Sequence, residues 1–258
     1  MTGQGRGRVT RDARGREIYA EIKALPPLIV RADGRHFKSL LRDRERFRKP
    51  YDERFAQGMA EATVRFFAQS GFDPRLAYLF SDEINLLFTQ VPFNARVEKL
   101  DSLIASFLAS ALTLSLDLHD SPVAFDARII PLCGCEDARE YLAQRQAEAW
   151  RNHLNAYGYY GLQAAGMSAR EAEERLQGLK AAAVHERLFQ QGINLNETPA
   201  WQRRGMVVAK ERYEKPGYDR QRATAVNVIR YKVVQYWDIP RFNSEEGRLF
   251  LSRFIPRE

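Results

Sequence analysis

The stretch Leu28-Ile29-Val30-Arg31-Ala32-Asp33-Gly34-Arg35-His36-Phe37 constrains the fold more than any other part of the chain. Its apolar opening, rich in β-branched residues, predicts a buried strand. The run ends on a carboxylate, and the glycine after it lets the backbone turn sharply or approach a ligand. Arg31 and Arg35 flank that acid and create a basic setting suited to phosphates. An Asp-Gly pair after a strand is commonly no more than a turn. Its meaning therefore depends on what the rest of the chain brings beside it. A second acid pair, Asp82-Glu83, stands between apolar runs at residues 76–80 and 84–88, a pattern that predicts a hairpin tipped by Ser81-Asp82-Glu83.

Helical periodicity fills the intervals. Residues 52–69 space Phe55, Met59, Val64 and Phe67 along one helix face behind Asp52, a capping residue type. Residues 97–118 predict a second apolar helix, with Leu100, Leu103, Ile104, Phe107, Leu108, Ala111 and Leu114 toward the core. A fourth strand is expected over 123–132. Residues 27–132 thus read strand, helix, strand, strand, helix, strand, the split β-α-β order of ferredoxin-like folds. The expected fold class is α+β, an antiparallel sheet with helices packed on it. In that topology the first and third strands are neighbours, so Asp33 faces the hairpin carrying Ser81, Asp82 and Glu83.

Outside this core, a short helix is expected at 19–24, stopped by Pro26 and Pro27. Helices follow at 138–159, 168–179 and 181–190, the second with a Ser168-x-x-Glu171 start. Residues 206–213 and 223–237 alternate like a hairpin, with 214–219 as its loop, and 249–255 form a last short element. The chain divides into a mobile basic arm at 1–16, a core at 17–135, and a helical and hairpin region packed on it at 136–258.

The 258 residues carry a formal net charge of +7 and a pI near 9.5, which favours an anionic partner, nucleic acid before membrane. Residues 1–16 hold five arginines and no apolar core, unlike a signal peptide. The most apolar stretch, 102–116, carries four serines and a threonine and is short for a membrane span. Cys133 and Cys135 have no matching Cys/His pair to close a zinc site, and read as incidental thiols of a reducing cytoplasm. The four histidines are scattered, and neither a P-loop nor a G-x-G-x-x-G run occurs.

Phosphate binding must then come from the strand-end turn and from Arg31, Arg35, Lys38 and Lys49. Two acids delivered by strand ends in a cationic chain suit Mg²⁺, a hard ion held by carboxylates, water and substrate phosphates. Asp33 and Asp82 are the candidate shared ligands, with the Gly34 carbonyl as a third oxygen. Glu83 ranks below them, because strand alternation turns it to the opposite face if Asp82 points inward.

Taken in order, Arg31-x-Asp33-Gly34-Arg35-x-Phe37, Lys49-Pro50-x-Asp52, Ser81-Asp82-Glu83, Phe125-Asp126-x-Arg128 and Tyr141-x-x-x-Arg145-Gln146 resemble the motifs of the tRNA(His) guanylyltransferase family. Leu188-Phe189, Gly192-Ile193-Asn194 and Trp201-x-x-x-Gly205 resemble its C-terminal half. The resemblance implies a palm-like catalytic core over 17–135 and two Mg²⁺ ions on Asp33, Asp82 and the Gly34 carbonyl. Catalytic roles for Ser81 and Glu83 come with it. It also implies nucleoside triphosphate contacts along Arg31, Gly34, Arg35, His36, Phe37, Lys38, Lys49 and Asp52. Arg128, Arg145 and Asn152 would meet the tRNA 5′ end.

In this family ATP activates the tRNA 5′ end, and GTP or another nucleoside triphosphate then joins through its 3′-hydroxyl. Growth is therefore 3′ to 5′, and members form homotetramers. The family segment His-Ile-Asn-Asn-Leu-Tyr-Asn reads Trp150-Arg151-Asn152-His153-Leu154-Asn155-Ala156 here. That form resembles the archaeal and bacterial branch, which favours 5′-truncated tRNAs. Two other readings stand beside this one. A palm-type nucleotide cyclase would carry a Gly-Gly-Asp-Glu-Phe-type signature, absent here; a non-catalytic RNA-binding protein would keep the fold without the chemistry.

Overall fold

The computed structural model describes residues 18–42, 46–219, 221–222 and 224–256. The basic arm expected at 1–16 lies outside them. Strand β1 (Leu28–Arg35) opens the core, followed by helices α1 (Phe37–Arg42) and α2 (Glu53–Gln69). Strands β2 (Leu76–Phe80) and β3 (Glu83–Phe88), helix α3 (Val97–Ser115) and strand β4 (Ala124–Pro131) complete it. Four helices come next: α4 (Cys135–Ala164), α5 (Ala169–Leu176), α6 (Ala181–Gln190) and α7 (Ala200–Arg204). Strands β5 (Met206–Asp219) and β6 (Thr224–Tyr236) and helix α8 (Glu245–Leu251) close the chain.

All six strands form one antiparallel sheet in the order β4-β1-β3-β2-β5-β6. Its first four strands have the split β-α-β arrangement expected from the element order, with β1 beside β3. Every residue of β2 and β3 is buried, because helices cover both faces. On one face Leu28, Val30 and Ala32 pack with Phe66 of α2 and Ile104 and Leu108 of α3. On the other, Ile29, Tyr78 and Leu87 pack with Leu142 of α4 and with Phe254. Two-sided burial is the reason these strands read as near-continuous apolar runs.

Several expectations are corrected. Residues 18–21 form a turn and Lys23 bridges to Arg96, instead of a helix over 19–24; six residues cut off by two prolines cannot repay helix nucleation. Leu103 and Leu114 are exposed, 38% and 62%, because the apolar face of α3 follows Leu100, Ile104, Leu108, Ala111 and Leu112. Strand β5 runs straight through 214–219, where a loop was expected. Pro216 is tolerated there because β5 is paired on one side only beyond Ala209, so its missing N–H breaks no second ladder. The last element, α8, starts earlier, at Glu245, behind an N-cap Ser244 whose Oγ accepts from Gly247 N–H at 3.1 Å. Helix α5 does begin with the capping box at Ser168 and Glu171.

Candidate active site

The β1–β3 register places Asp33 opposite Glu83, and the Gly34 N–H donates to the Asp82 carbonyl at 3.0 Å. The strand-end acid and the hairpin acid are thereby joined through backbone. Gly34 is glycine for a packing reason: a Cβ there would lie 2.5 Å from the Phe37 ring. Phe37 itself is core, edge-on to Phe55 and Phe125 at 6.0 and 5.2 Å. Its ring supports the turn from below. His36 takes a left-handed φ of 62° and Arg35 is exposed, both at the turn. The Lys38 side chain lies outside the described residues.

The acids have distinct environments. Arg31 Nε donates to Asp33 Oδ2 at 3.1 Å, and Arg128, opposite Arg31 on β4, brings Nη1 to 3.8 Å from the same oxygen while pairing with Asp126 at 3.1 Å. Burial pushes the Arg31 pKa down, but Tyr141, Asp33 and Glu83 outweigh it and hold the guanidinium charged. Asp33 is 29% exposed and meets solvent beside these two cations.

Glu83 is the buried counterpart. Arg145 holds it from α4 in a two-pronged contact, Nε to Oε1 at 2.9 Å and Nη2 to Oε2 at 2.5 Å, and Asn85 Nδ2 donates to Oε1 at 2.8 Å. Tyr141 Oη donates to Asn85 Oδ1 at 3.1 Å, and the Arg145 guanidinium stands 5.3 Å above the Phe80 ring. Burial raises the Glu83 pKa, with Arg145 and Asn85 opposing it. A pair this desolvated survives only because its hydrogen bonds are nearly complete. Arg145, expected at the tRNA 5′ end, ties α4 to the sheet through these contacts.

The remaining candidates line a cavity of about 330 Å³ at the turn end of β2 and β3. Lys49, Asp52, Ser81, Asp82, Asn152 and Trp201 all contribute to its wall. Ser81 sits at φ 51° and its Oγ donates to Asp82 Oδ1 at 3.1 Å. Asp52 caps α2, accepting from the Phe55 N–H at 2.9 Å and the Arg48 N–H at 2.8 Å. Lys49 Nζ lies 5.9 Å from the Tyr160 ring centre.

Tyr51 and Asn155 also line the cavity, and reading the residues one by one had not found them. A tyrosine beside a proline and an asparagine in a helix carry no signal of their own. Tyr51 is placed by ring contacts to His153, Tyr157 and Trp201, and burial pushes its phenol far above the usual range.

The geometry gives two linked halves. One is a sheet face with Asp33 among Arg31 and Arg128; the other is a cavity with Asp82, Ser81, Lys49, Asp52 and Asn152. Among the described residues no group of three His, Cys, Asp or Glu side chains could enclose a metal ion unaided. Asp33, Asp82 and the Gly34 carbonyl are nevertheless an all-oxygen set, the donor type of a Mg²⁺ ion that takes its other ligands from water and phosphate. Nor is any helix among the described residues long and apolar enough to cross a membrane.

Comparison with known proteins gives one answer. The tRNAHis guanylyltransferase profile matches residues 12–133, and the Thg1 C terminal domain profile matches 136–235. The chain is 30% identical over 195 residues to a probable tRNA(His) guanylyltransferase of Drosophila melanogaster, covering 72% of this chain and 67% of that protein. It is 32% identical over 196 residues to the tRNA(His) guanylyltransferase of Debaryomyces hansenii, covering 71% and 73%.

Among solved structures, the Saccharomyces cerevisiae tRNA(His) guanylyltransferase superposes with a TM-score of 0.67 at 26% identity, over 76% of this chain and 91% of that one. A bacterial tRNA(His) guanylyltransferase-like protein in complex with ATP gives 0.72 at 23% identity, over 95% and 97%, a likeness of fold. The two profiles meet between β4 and α4 and together span the strand-end acids, the cavity and the anchoring pair. The chain belongs to the tRNA(His) guanylyltransferase family.

Proposed function

We propose that the chain is a nucleotidyltransferase that extends the 5′ end of tRNA in the 3′–5′ direction, with Mg²⁺ and nucleoside triphosphates, and that 5′-truncated tRNAs are its preferred substrates. The observation that carries this reading is the backbone link between Gly34 and Asp82. It ties the residue after Asp33 to Asp82, which lines the cavity together with Lys49, Asp52, Ser81 and Asn152. The relatives named tRNA(His) guanylyltransferase and the solved relatives bound to GTP and ATP support the substrate class.

The reaction balances in two steps. In the first, a 5′-phosphate oxygen of the tRNA attacks the α-phosphorus of ATP and pyrophosphate leaves. In the second, the 3′-hydroxyl of GTP or another nucleoside triphosphate attacks the activated 5′-phosphorus and AMP leaves. Asp33, Asp82 and the Gly34 carbonyl would hold the two magnesium ions. Bound there, such ions would supply activation of the attacking oxygen and neutralisation of charge on the leaving one.

Lys49 adds a point charge to the triphosphate, while Arg31 and Arg128 face the reacting phosphate with forked donors. Ser81, bonded to Asp82, orients that carboxylate. Arg145 and Glu83 act at one remove by fixing α4, and with it Asn152, against the sheet. This reading treats the protein as a cytoplasmic homotetramer; sedimentation of the purified protein would check the tetramer.

The test is templated addition to a tRNA transcript lacking its first nucleotide, compared with addition to full-length tRNA(His), across a Mg²⁺ titration. Preferred addition to the truncated transcript is expected. Undiminished activity of Asp33→Ala and Asp82→Ala would sink the assignment. Cyclic product from GTP alone would replace it with a cyclase.

A further inference from the structure

A second cavity, of about 280 Å³, is lined by Gln146 and Trp150 of α4, Arg203 and Arg204 of α7, and Arg241 and Asn243 of the segment before α8. Helix α7 contributes to both cavities, Trp201 to the first and the two arginines to the second. The backbone around it is firmly tied. Buried Gln146 donates through Nε2 to the Arg204 and Pro240 carbonyls at 3.2 and 3.1 Å, and its Oε1 accepts from the Phe242 N–H at 2.7 Å. Tyr78 Oη donates to the Arg204 carbonyl at 3.0 Å. Gly205 then turns the chain into β5 at φ 75°, tight against the Leu79 carbonyl, where a side chain would collide.

The three guanidiniums on this frame are unequally used. Arg204 donates to the Ile239 carbonyl at 3.0 Å and lies 3.8 Å from Asp238, a carboxylate 84% exposed. Arg203 has a buried Nε with no hydrogen-bond partner. Burial, then Arg204 and Arg241, push its pKa down against the pull of Asp238. Among the described residues, neither Arg203 nor Arg241 has a carboxylate within ion-pair distance. Clustered like charges and an orphaned buried donor both cost free energy. An anion entering the cavity would offset the repulsion among the three guanidiniums that line it. Trp150, held by ring contacts to His153 and His185, supplies an apolar wall beside them.

We propose that this cavity binds a backbone phosphate of the RNA substrate, a contact separate from the reacting 5′ end. The proposal rests on the tRNA reading above. Forked guanidiniums match phosphate oxygens. The lining carries no acidic side chain to take ribose hydroxyls or a metal–triphosphate complex, which favours a phosphodiester over a free nucleotide. Because α7 joins the two cavities, a strand whose end enters the first can pass the second.

The experiment measures binding of a tRNA transcript lacking its first nucleotide, by fluorescence anisotropy over a range of salt concentrations. The proteins are the wild type, Arg203→Gln/Arg241→Gln and Arg203→Lys/Arg241→Lys. Each phosphate contact contributes roughly 0.7–0.9 to the slope of log K against log salt. The glutamine pair should therefore flatten the slope by about 1–2, the lysine pair should restore it, and GTP affinity should stay constant throughout. An unchanged slope in the glutamine pair overturns the proposal. Loss of GTP affinity with the slope unchanged overturns it in favour of a free-nucleotide site.

A wild type that binds no tRNA at all removes the substrate reading and this site with it; tRNA binding with an unaltered variant slope removes only the site. If the glutamine pair melts early, Arg241→Gln alone, at an exposed position, should flatten the slope by about 0.8.

Discussion

Asp33 and Glu83 face each other across one strand pair, yet the fold treats them as opposites. Asp33 opens to solvent beside Arg31 and Arg128, one at hydrogen-bond distance and one farther off. Glu83 is sealed under α4, with both carboxylate oxygens taken by Arg145 and one shared with Asn85. Solvent access leaves the first acid able to exchange partners, as a metal or phosphate site requires. The second acid cannot let go without stranding a half-buried guanidinium. Two acids facing each other across one strand pair thus sit in opposite settings, one open to solvent and one locked to an arginine.

The largest effect expected is on the anchor. Glu83→Ala leaves the half-buried Arg145 without its partner and should cost up to roughly 3 kcal/mol of stability, read from the urea unfolding midpoint. Replacing both partners, Glu83→Met with Arg145→Leu, should recover most of that loss, because no unpaired charge is then left behind. A double variant as unstable as the single one would mean that the pair does more than hold α4.

The working acid should behave the other way. Asp33→Asn and Asp82→Asn should each lower nucleotide addition by about 10²–10³-fold, the scale for losing one charge-stabilising group at a reacting centre, with unfolding midpoints near that of the wild type. A large loss of stability in Asp33→Asn would erase the contrast with Glu83.

His153 sharpens the comparison from a third side, as a buried group with no counter-charge. It is fully buried, bonded to Thr198 through Nε2, and its Nδ1 has no partner. Burial first, then Arg203 and His185, lower its pKa to about 4. A depressed pKa contributes stability that is complete above the ordinary value near 6.5 and is lost as pH falls through 4. That loss should amount to about 2–3 kcal/mol, and His153→Gln should abolish it. Glu83, raised by burial, favours the folded state as it takes up a proton, so only the difference between wild type and variant isolates His153. Urea unfolding at pH 7 and at pH 4 supplies that difference.

The smallest effect concerns Asp52, which both caps a helix and lines the cavity. Asp52→Ala should cost about 1 kcal/mol through the lost cap, and Asp52→Ser should retain most of it. A raised KM for the nucleoside triphosphate in the serine variant would show that the carboxylate also serves the substrate. An unchanged KM would leave it a cap alone.

How far the sequence could be read follows from how local each cause is. The apolar runs of β1, β2 and β3, the capped start of α2 and the Ser168 capping box all depend on neighbours a few positions away, and they were legible. The face of α3 was read too broadly, because Leu103 and Leu114 are apolar yet turned to solvent. Strand β5 was expected to end at Tyr213, ahead of Pro216, but a proline signals a break only where both strand edges are paired. Tyr51 and Asn155 left no trace, because what makes them site residues is the cavity they share and not their own chemistry.

The sequence by itself determined the α+β order, the Asp-Gly strand end, the Ser-Asp-Glu hairpin and the family to which they belong. Each of these depends on periodicity and spacing, which a linear chain carries in full. Only the tertiary structure decided that Glu83 is an anchor, that Arg145 is its partner from 62 positions away, and that three arginines from two segments surround one cavity. Burial and charge pairing are properties of what surrounds a side chain in space, and a chain acquires them only when distant segments close on one another.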